Sequence, residues 1–347
     1  MTTEPEVIIE QRGQAGLITL NRPRALNALT HGIVREVLAA LNRWVEDAAV
    51  TRVIIRGAGE KAFCAGGDIR AVHDLGKAGK HGEALAFFRD EYIMNRTIKR
   101  YPKPYVALLD GIVMGGGFGI SVHGSHRVAG DRFSFAMPEV GIGFFPDVGG
   151  TFVLPRLPFE AGRYLALTGG RINRGDAMTL GIATHAVPSA RFEMVVDALV
   201  TGGDIEATLK AHAAPVDSAP ILTHRDAIAR IFAGGSVPAI MAALERDGGD
   251  FALATLAMMR SKSPTSMAIA LEQMKRGPAL SFEACMTTEM RIVTRILDGT
   301  DFYEGVRSVI IDKDQKPQWQ PASIEAVDPA DITRYFAPMA NDLEFAS

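Results

Sequence analysis

The chain has 347 residues, of which 47% are hydrophobic and 22% charged, and it carries a formal net charge of −3. That length accommodates one large domain with an appendage, or two domains, and the composition is that of an ordinary globular protein with ample core material. The near-balanced charge gives no reason to expect nucleic acid or a membrane surface as partner, so any anionic ligand must be held by local charge.

In chain order, residues 17–20, 53–55 and 105–109 read as short buried strands. Between the first two, Ile33, Val34, Val37, Leu38, Leu41, Trp44 and Val45 recur at helical spacing and predict an amphipathic helix. Residues 127–129 and 133–136 read as two further strands, followed by a loop in which prolines precede acidic residues. Strands alternating with helices through short glycine-bearing turns predict α/β layering. Near residue 200 the texture changes: Thr201-Gly202-Gly203-Asp204 and the stretch 213–220 look like connectors, and the pattern beyond them is mostly helical. Ser236-Val237-Pro238 and Ser263-Pro264 mark helix starts. Phe282, Cys285, Met286, Ile292, Val293, Ile296 and Leu297 form a last apolar stripe ending at Gly299, and little periodicity follows Pro321. The expected organisation is an α/β core over residues 1–205 and a helical region over 206–347 packed on it. No repeat or low-complexity tract is visible.

Two cysteines, Cys64 and Cys285, can build neither a disulfide framework nor a cysteine-based zinc site, which favours a reducing compartment. The segment Met1 to Gln11 has neither the basic end and apolar stretch of a secretory signal nor the arginines of a transit peptide. No apolar run reaches the roughly 18 residues that a membrane span needs. The expected location is the cytoplasm.

Gly115-Gly116-Gly117 follows an apolar, strand-like run. Successive glycines let a ligand approach bare backbone N–H groups, and a helix starting at Phe118 would add the positive end of its dipole. This suits a carbonyl oxygen or a developing oxyanion; the alternative is a tight turn serving close packing only. A phosphate-binding P-loop is excluded, because no Gly-Lys-Ser/Thr follows. Phe63-Cys64-Ala65-Gly66-Gly67-Asp68-Ile69 is a second small-residue loop. The N–H of Gly67 would converge with that of Gly116 if their strands are neighbours; otherwise this is an ordinary loop whose Asp68 caps a helix starting near Ile69. Cys64 reads as a small buried hydrophobe, with no partner base nearby in sequence.

In Met137-Pro138-Glu139 and Phe145-Pro146-Asp147, each acid stands behind a proline among Val140, Ile142, Phe144 and Val148. Apolar surroundings raise a carboxylate's pKa toward working pH, and the prolines stiffen its placement. Against this, Asp147 would serve equally as N-cap for a helix over 149–154, and Glu139 as a surface loop charge. Glu91, on an expected helix, reads by itself as a solvated charge. The eight histidines show no metal-ligand spacing, so no catalytic metal is expected, and no Gly-x-Ser-x-Gly elbow marks a serine hydrolase.

Taken together, Leu20-Asn21-Arg22-Pro23 with Leu26-Asn27-Ala28-Leu29, Ala62-Phe63-Cys64-Ala65-Gly66-Gly67-Asp68-Ile69 and Asp110-Gly111-Ile112-Val113-Met114-Gly115-Gly116-Gly117 resemble the crotonase (enoyl-CoA hydratase/isomerase) superfamily. The resemblance implies a crotonase-like spiral ββα core with an α-helical C-terminal region. It also implies an acyl-CoA substrate and no separate cofactor, CoA being part of the substrate. Hydratases of that superfamily usually carry one glutamate just after the triple glycine and another in the Pro-Glu segment. Here Gly119 takes the first position, so water addition by paired glutamates does not fit. Glu91-Tyr92-Ile93-Met94-Asn95, residues 115–124, residues 135–150, Ser263-Pro264-Thr265-Ser266 and Asp301-Phe302-Tyr303-Glu304-Gly305-Val306-Arg307 resemble the 3-hydroxyisobutyryl-CoA hydrolase subfamily instead, as do Asp312-Lys313-Asp314, Pro317 and Trp319.

What that resemblance implies is thioester hydrolysis in valine catabolism, with 3-hydroxypropionyl-CoA as a second fitting substrate. The N–H groups of Gly67 and Gly116 would form the oxyanion hole. Glu139 would attack the thioester carbon or activate water, Asp147 would orient the substrate hydroxyl or the water, and Glu91 would help bind the hydroxyacyl group. Arg22, Arg24 and Lys61 are candidates for holding CoA. Competing readings are hydration or isomerisation of an enoyl-CoA, and a non-catalytic acyl-CoA-binding protein on the same fold. Oligomeric state is open: the crotonase core often trimerises, and the helical C-terminus could occupy the surfaces used for that.

Overall fold

A computed structural model describes residues 4–215 and 217–345. Met1, Thr2 and Thr3 of the N-terminal segment and Val216 of the 213–220 connector lie outside the described residues.

The strands, in chain order, are β1 (Val7–Arg12), β2 (Ala15–Leu20), β3 (Arg52–Gly57), β4 (Ala62–Cys64), β5 (Tyr105–Leu109), β6 (Ile112–Met114), β7 (His126–Ala129), β8 (Ser134–Ala136) and β9 (His185–Ala186). Six form one sheet in the order β1-β2-β3-β5-β7-β9, and β4-β6-β8 form a second. Only β1 runs antiparallel to its neighbour in the large sheet; β2 to β9 are parallel. A parallel sheet is buried on both faces, which is why β2 and β5 are apolar runs without alternation and are buried along their whole length. One face packs Leu17, Ile54, Val106, Leu108 and Val128 against Val195, Val196 and Leu199 of helix Phe192–Val200. The other takes helix His31–Glu46, whose buried residues Ile33, Val34, Val37, Leu41 and Trp44 are the predicted stripe. Trp44 lies so close to β2 that a Cβ on Gly16 would stand 2.4 Å from its ring.

By contact, the chain groups into two units that interleave in sequence. One comprises Met1–Gly67, Ile93–Phe135 and Ile172–Pro220, and the other Asp68–Tyr92, Ala136–Arg171 and Ile221–Ser347. The first holds the large sheet. The second takes two stretches from the first half of the chain together with the helices that follow Ile221. There, Ser236 and Ser263 cap helices Val237–Asp247 and Pro264–Arg276 through their side-chain oxygens, as their sequence context predicts. The last apolar stripe becomes helix Phe282–Ile296, and a short helix, Pro329–Tyr335, forms beyond Pro321, where periodicity is weak. No described helix is long and apolar enough to cross a membrane.

Candidate active site

In the first unit, β4 and β6 pair in parallel with Cys64 opposite Val113, so the two glycine loops leave the same end of one small sheet. A Cβ on Gly66 (φ +119°) would stand 3.8 Å from the Gly116 nitrogen. The helix begins at Gly116 rather than Phe118 and runs to Val122, which leaves the Gly116 N–H in a first turn where no intrahelical acceptor exists. Gly117 answers to packing as well: its missing Cβ would meet the Cys64 carbonyl at 2.3 Å. Gly67 is bridged to Leu29. Asp68 does cap a helix, accepting from the Ala71 N–H at 3.3 Å, and Cys64 is fully buried, as a small hydrophobe would be. Of the candidate CoA contacts, Arg22 already engages Glu6 at 3.0 Å and the Ala28 carbonyl at 2.7 Å, whereas Arg24 and Lys61 are exposed.

The acids gather in the second unit. Glu139 opens a single turn, Glu139–Ile142, and is 6% exposed; Asp147 is 5%, Glu91 2% and Glu289 0% exposed. Three alternative readings fail here. Glu91 is not a solvated charge, because helix His81–Lys99 also buries Phe87, Phe88, Tyr92, Met94 and Ile98, and so has little outward face left at that level. Glu139 is not a surface loop charge. Asp147 is not an N-cap: its side chain accepts from the Tyr92 hydroxyl at 2.8 Å, and Gly149 precedes helix Gly150–Val153.

The Asp147 loop has an unusual backbone. Val148 has φ +49° and Gly149 φ +90°, and a β-branched residue in the left-handed region is strained unless its surroundings hold it. Two buried side chains from far along the chain do so. Glu289 accepts the N–H of Gly149 at 2.9 Å and that of Thr151 at 3.0 Å. The Gln273 amide donates to the Pro146 carbonyl at 3.0 Å and to the Thr151 hydroxyl at 2.7 Å. Sequence reasoning missed Glu289, Gln273 and Tyr92. One signal was available: Glu289 falls four residues after Cys285, inside the apolar stripe, where an acid has no business unless it is paired.

Burial among aromatic rings sets the electrostatics. Phe88 stacks on Phe144 at 5.5 Å, and Phe144 also contacts Phe145 and Phe302. Desolvation pushes the Glu139 carboxyl well above its ordinary range, and the neighbouring Asp147 pushes it further. Glu91 is raised well up by burial first, then by Asp147 and Glu289. Asp147 is raised to about 7 by burial, against the lowering effect of the Tyr92 hydroxyl. Glu289 is raised to about 8 by burial and by Asp147, against its two backbone donors. Asp147 is the shared neighbour: its charge raises Glu91, Glu139 and Glu289 alike. Among the described residues, Glu91 Oε1 and Glu139 Oε2 are buried with no hydrogen-bond partner. Both polar side-chain atoms of Asn95 and the Oε1 of Gln273 are in the same state, and buried polar atoms are rarely left unpaired. Such a cluster of acids can exchange protons near neutral pH and can offer a desolvated carboxylate as nucleophile. No acid follows the triple glycine: Gly119 is buried inside its helix.

Comparison with known proteins places the whole chain in a family. The enoyl-CoA hydratase/isomerase family model matches residues 15–336. The chain is 45% identical to mitochondrial 3-hydroxyisobutyryl-CoA hydrolase of Danio rerio, over 96% of this chain and 90% of that one. It is 43% identical to the Homo sapiens protein of the same name, over 98% and 91% respectively. Among solved structures, a carnitinyl-CoA dehydratase from Mycobacterium thermoresistibile is 40% identical with a TM-score of 0.95, covering 99% of each chain. An enoyl-CoA hydratase from Rhodobacter sphaeroides 2.4.1 is also 40% identical, with a TM-score of 0.91 over 98% of this chain and 100% of that one. Matched over nearly its whole length in sequence and in fold, the chain belongs to the enoyl-CoA hydratase/isomerase family.

Proposed function

We propose that this protein hydrolyses the thioester of 3-hydroxyisobutyryl-CoA, releasing the free hydroxy acid and CoA. The observation that carries this reading is the buried cluster of Glu91, Glu139 and Asp147, with two carboxylate oxygens unpaired and no acid beside the triple glycine. A paired-glutamate hydratase needs that missing acid, whereas a hydrolase needs one nucleophile or base and a means of recognising a hydroxyl. The high identity to 3-hydroxyisobutyryl-CoA hydrolases over nearly the full chain supports the same activity.

In this reading the N–H groups of Gly67 and Gly116 receive the thioester oxygen as it becomes an oxyanion. Removing one such donor costs roughly 10²–10³ in rate in enzymes where it has been tried. The Glu139 carboxylate attacks the carbonyl carbon, the C–S bond breaks, and the CoA thiolate leaves and takes a proton. Water then opens the resulting anhydride, releasing the acid and restoring Glu139. In the variant of this route Glu139 takes the proton from water as water attacks the carbon directly; ¹⁸O entering the Glu139 side chain in a single turnover in labelled water would mark the anhydride. Asp147 orients the substrate hydroxyl or the water, and Glu91 pairs with the hydroxyacyl group. A site built to hydrogen-bond a hydroxyl rejects acyl groups that lack one. 3-Hydroxypropionyl-CoA fits the same requirement, and the breakdown of valine is where 3-hydroxyisobutyryl-CoA would arise. Two buried cysteines outside any disulfide suit a reducing compartment. We retain the cytoplasm as the expected location, while the curated relatives bear mitochondrial names.

The test is free-thiol release from 3-hydroxyisobutyryl-CoA, beside isobutyryl-CoA and crotonyl-CoA, for the wild type and Glu139→Gln. Rapid release from the hydroxyacyl thioester alone, lost in the variant, is the expected result. The similar structures that are named a dehydratase and a hydratase favour the competing reading. Under that reading no thiol appears and the enoyl absorbance of crotonyl-CoA falls instead, which would overturn the hydrolase.

A further inference from the structure

Glu289 is fully buried on helix Phe282–Ile296, in a stripe that is apolar apart from Thr288, and both of its oxygens are engaged by the Asp147 loop. Burying a carboxylate is expensive, and an apolar side chain would pack the same stripe without that cost. Its bonds fall on Gly149 and Thr151, directly after the left-handed Val148, while Gln273 holds the Pro146 carbonyl directly before Asp147. Asp147 is therefore bracketed by anchors on both sides, and its carboxylate is aimed by the Tyr92 hydroxyl. The two N–H donors reach two different oxygens of Glu289, and an amide in its place would offer only one.

We propose that Glu289 is a positioning residue of the reaction: by clamping the N–H groups of Gly149 and Thr151 it holds the strained turn at Val148 that presents Asp147. This rests on the hydrolase reading above. A reacting group displaced by a fraction of an ångström loses most of its effect. Glu289→Gln keeps the side-chain volume but turns an N–H₂ toward one of the two backbone donors. The loss belongs in kcat, because Asp147 remains present and the rest of the substrate site is untouched.

The experiment measures thiol release from 3-hydroxyisobutyryl-CoA by the full-length protein. For Glu289→Gln, kcat is expected to fall about 10–100-fold while KM stays within about threefold. Adding Val148→Gly, which adopts the left-handed backbone without help, should recover part of the lost kcat. A folded Glu289→Gln with wild-type kcat, or with its loss confined to KM, would overturn the proposal. If that variant does not fold, amide hydrogen exchange in the wild-type protein decides. The Gly149 and Thr151 amides should exchange with the most protected class, and exchange at the rate of open loops overturns the clamp. A wild type that releases no thiol at all would defeat the hydrolase reading, and the exchange measurement would still report on the clamp.

Discussion

Replacing Asp147 by asparagine should stabilise the protein and disable it, and the stabilisation should depend on pH. Burial raises this carboxyl from its ordinary 3.8 to about 7 in the folded state. A folded-state pKa raised above the unfolded one means that the native protein binds the proton more tightly. The stability this contributes is complete below the unfolded pKa and is lost as pH rises through the folded pKa, between about 4 and 7. At about 1.4 kcal/mol per pH unit, the rise of roughly three units costs the wild type about 4 kcal/mol at pH 8. At pH 5 only the first stretch of that window has been crossed, and the cost is about 2 kcal/mol. Asparagine never ionises and can still accept the Tyr92 hydroxyl, so Asp147→Asn should recover most of each amount. Urea denaturation of both proteins at pH 5 and pH 8 measures the difference directly. Thiol release should fall by at least about 10², the usual weight of a positioned acid or base. The reasoning is refuted if the variant gains no more stability at pH 8 than at pH 5, or is less stable than the wild type at pH 8.

Two further outcomes follow from the site. Glu91→Leu removes the acid whose Oε1 has no partner among the described residues. Its kcat/KM for 3-hydroxyisobutyryl-CoA should drop about 100-fold or more, while that for isobutyryl-CoA holds or improves; equal losses on both substrates would show that Glu91 does not read the hydroxyl. Gly117→Ala would place a methyl group 2.3 Å from the Cys64 carbonyl, forcing the two glycine loops apart. Denaturation should show a loss of about 1–3 kcal/mol, and thiol release should fall further than that loss explains, because the Gly116 N–H moves with its neighbour; unchanged activity would separate the loops from the reaction.

What could be read from the sequence divides along the range of the interactions. The glycine loops and the proline-led acids are local patterns, and each lies on a strand end or turn where its composition puts it. Helix His31–Glu46 and the Ser236 and Ser263 caps were equally legible, since they depend on neighbours within one or two turns. Strand β1, Val7–Arg12, was not, because its outer positions alternate too little to stand out in so short a run. Glu91 was misjudged because a charge on a helix is ordinarily solvated, and only packing around Phe88 and Phe144 shows otherwise. Glu289 and Gln273 act on residues more than a hundred positions away, so no spacing rule links them to Asp147. The interleaving of the two contact units has the same cause: its contacts join stretches that nothing in the chain marks as partners.

The 140 positions from Gly149 to Glu289 also order events on the ribosome. At the usual 5–20 residues per second, Asp147 waits roughly 7–30 s after synthesis for the side chain that clamps its turn. Through that interval Glu91, Glu139 and Asp147 are already in the nascent chain while Glu289 is not. A chain cut short before helix Phe282–Ile296 therefore carries all three acids without the carboxyl group that holds the Asp147 turn.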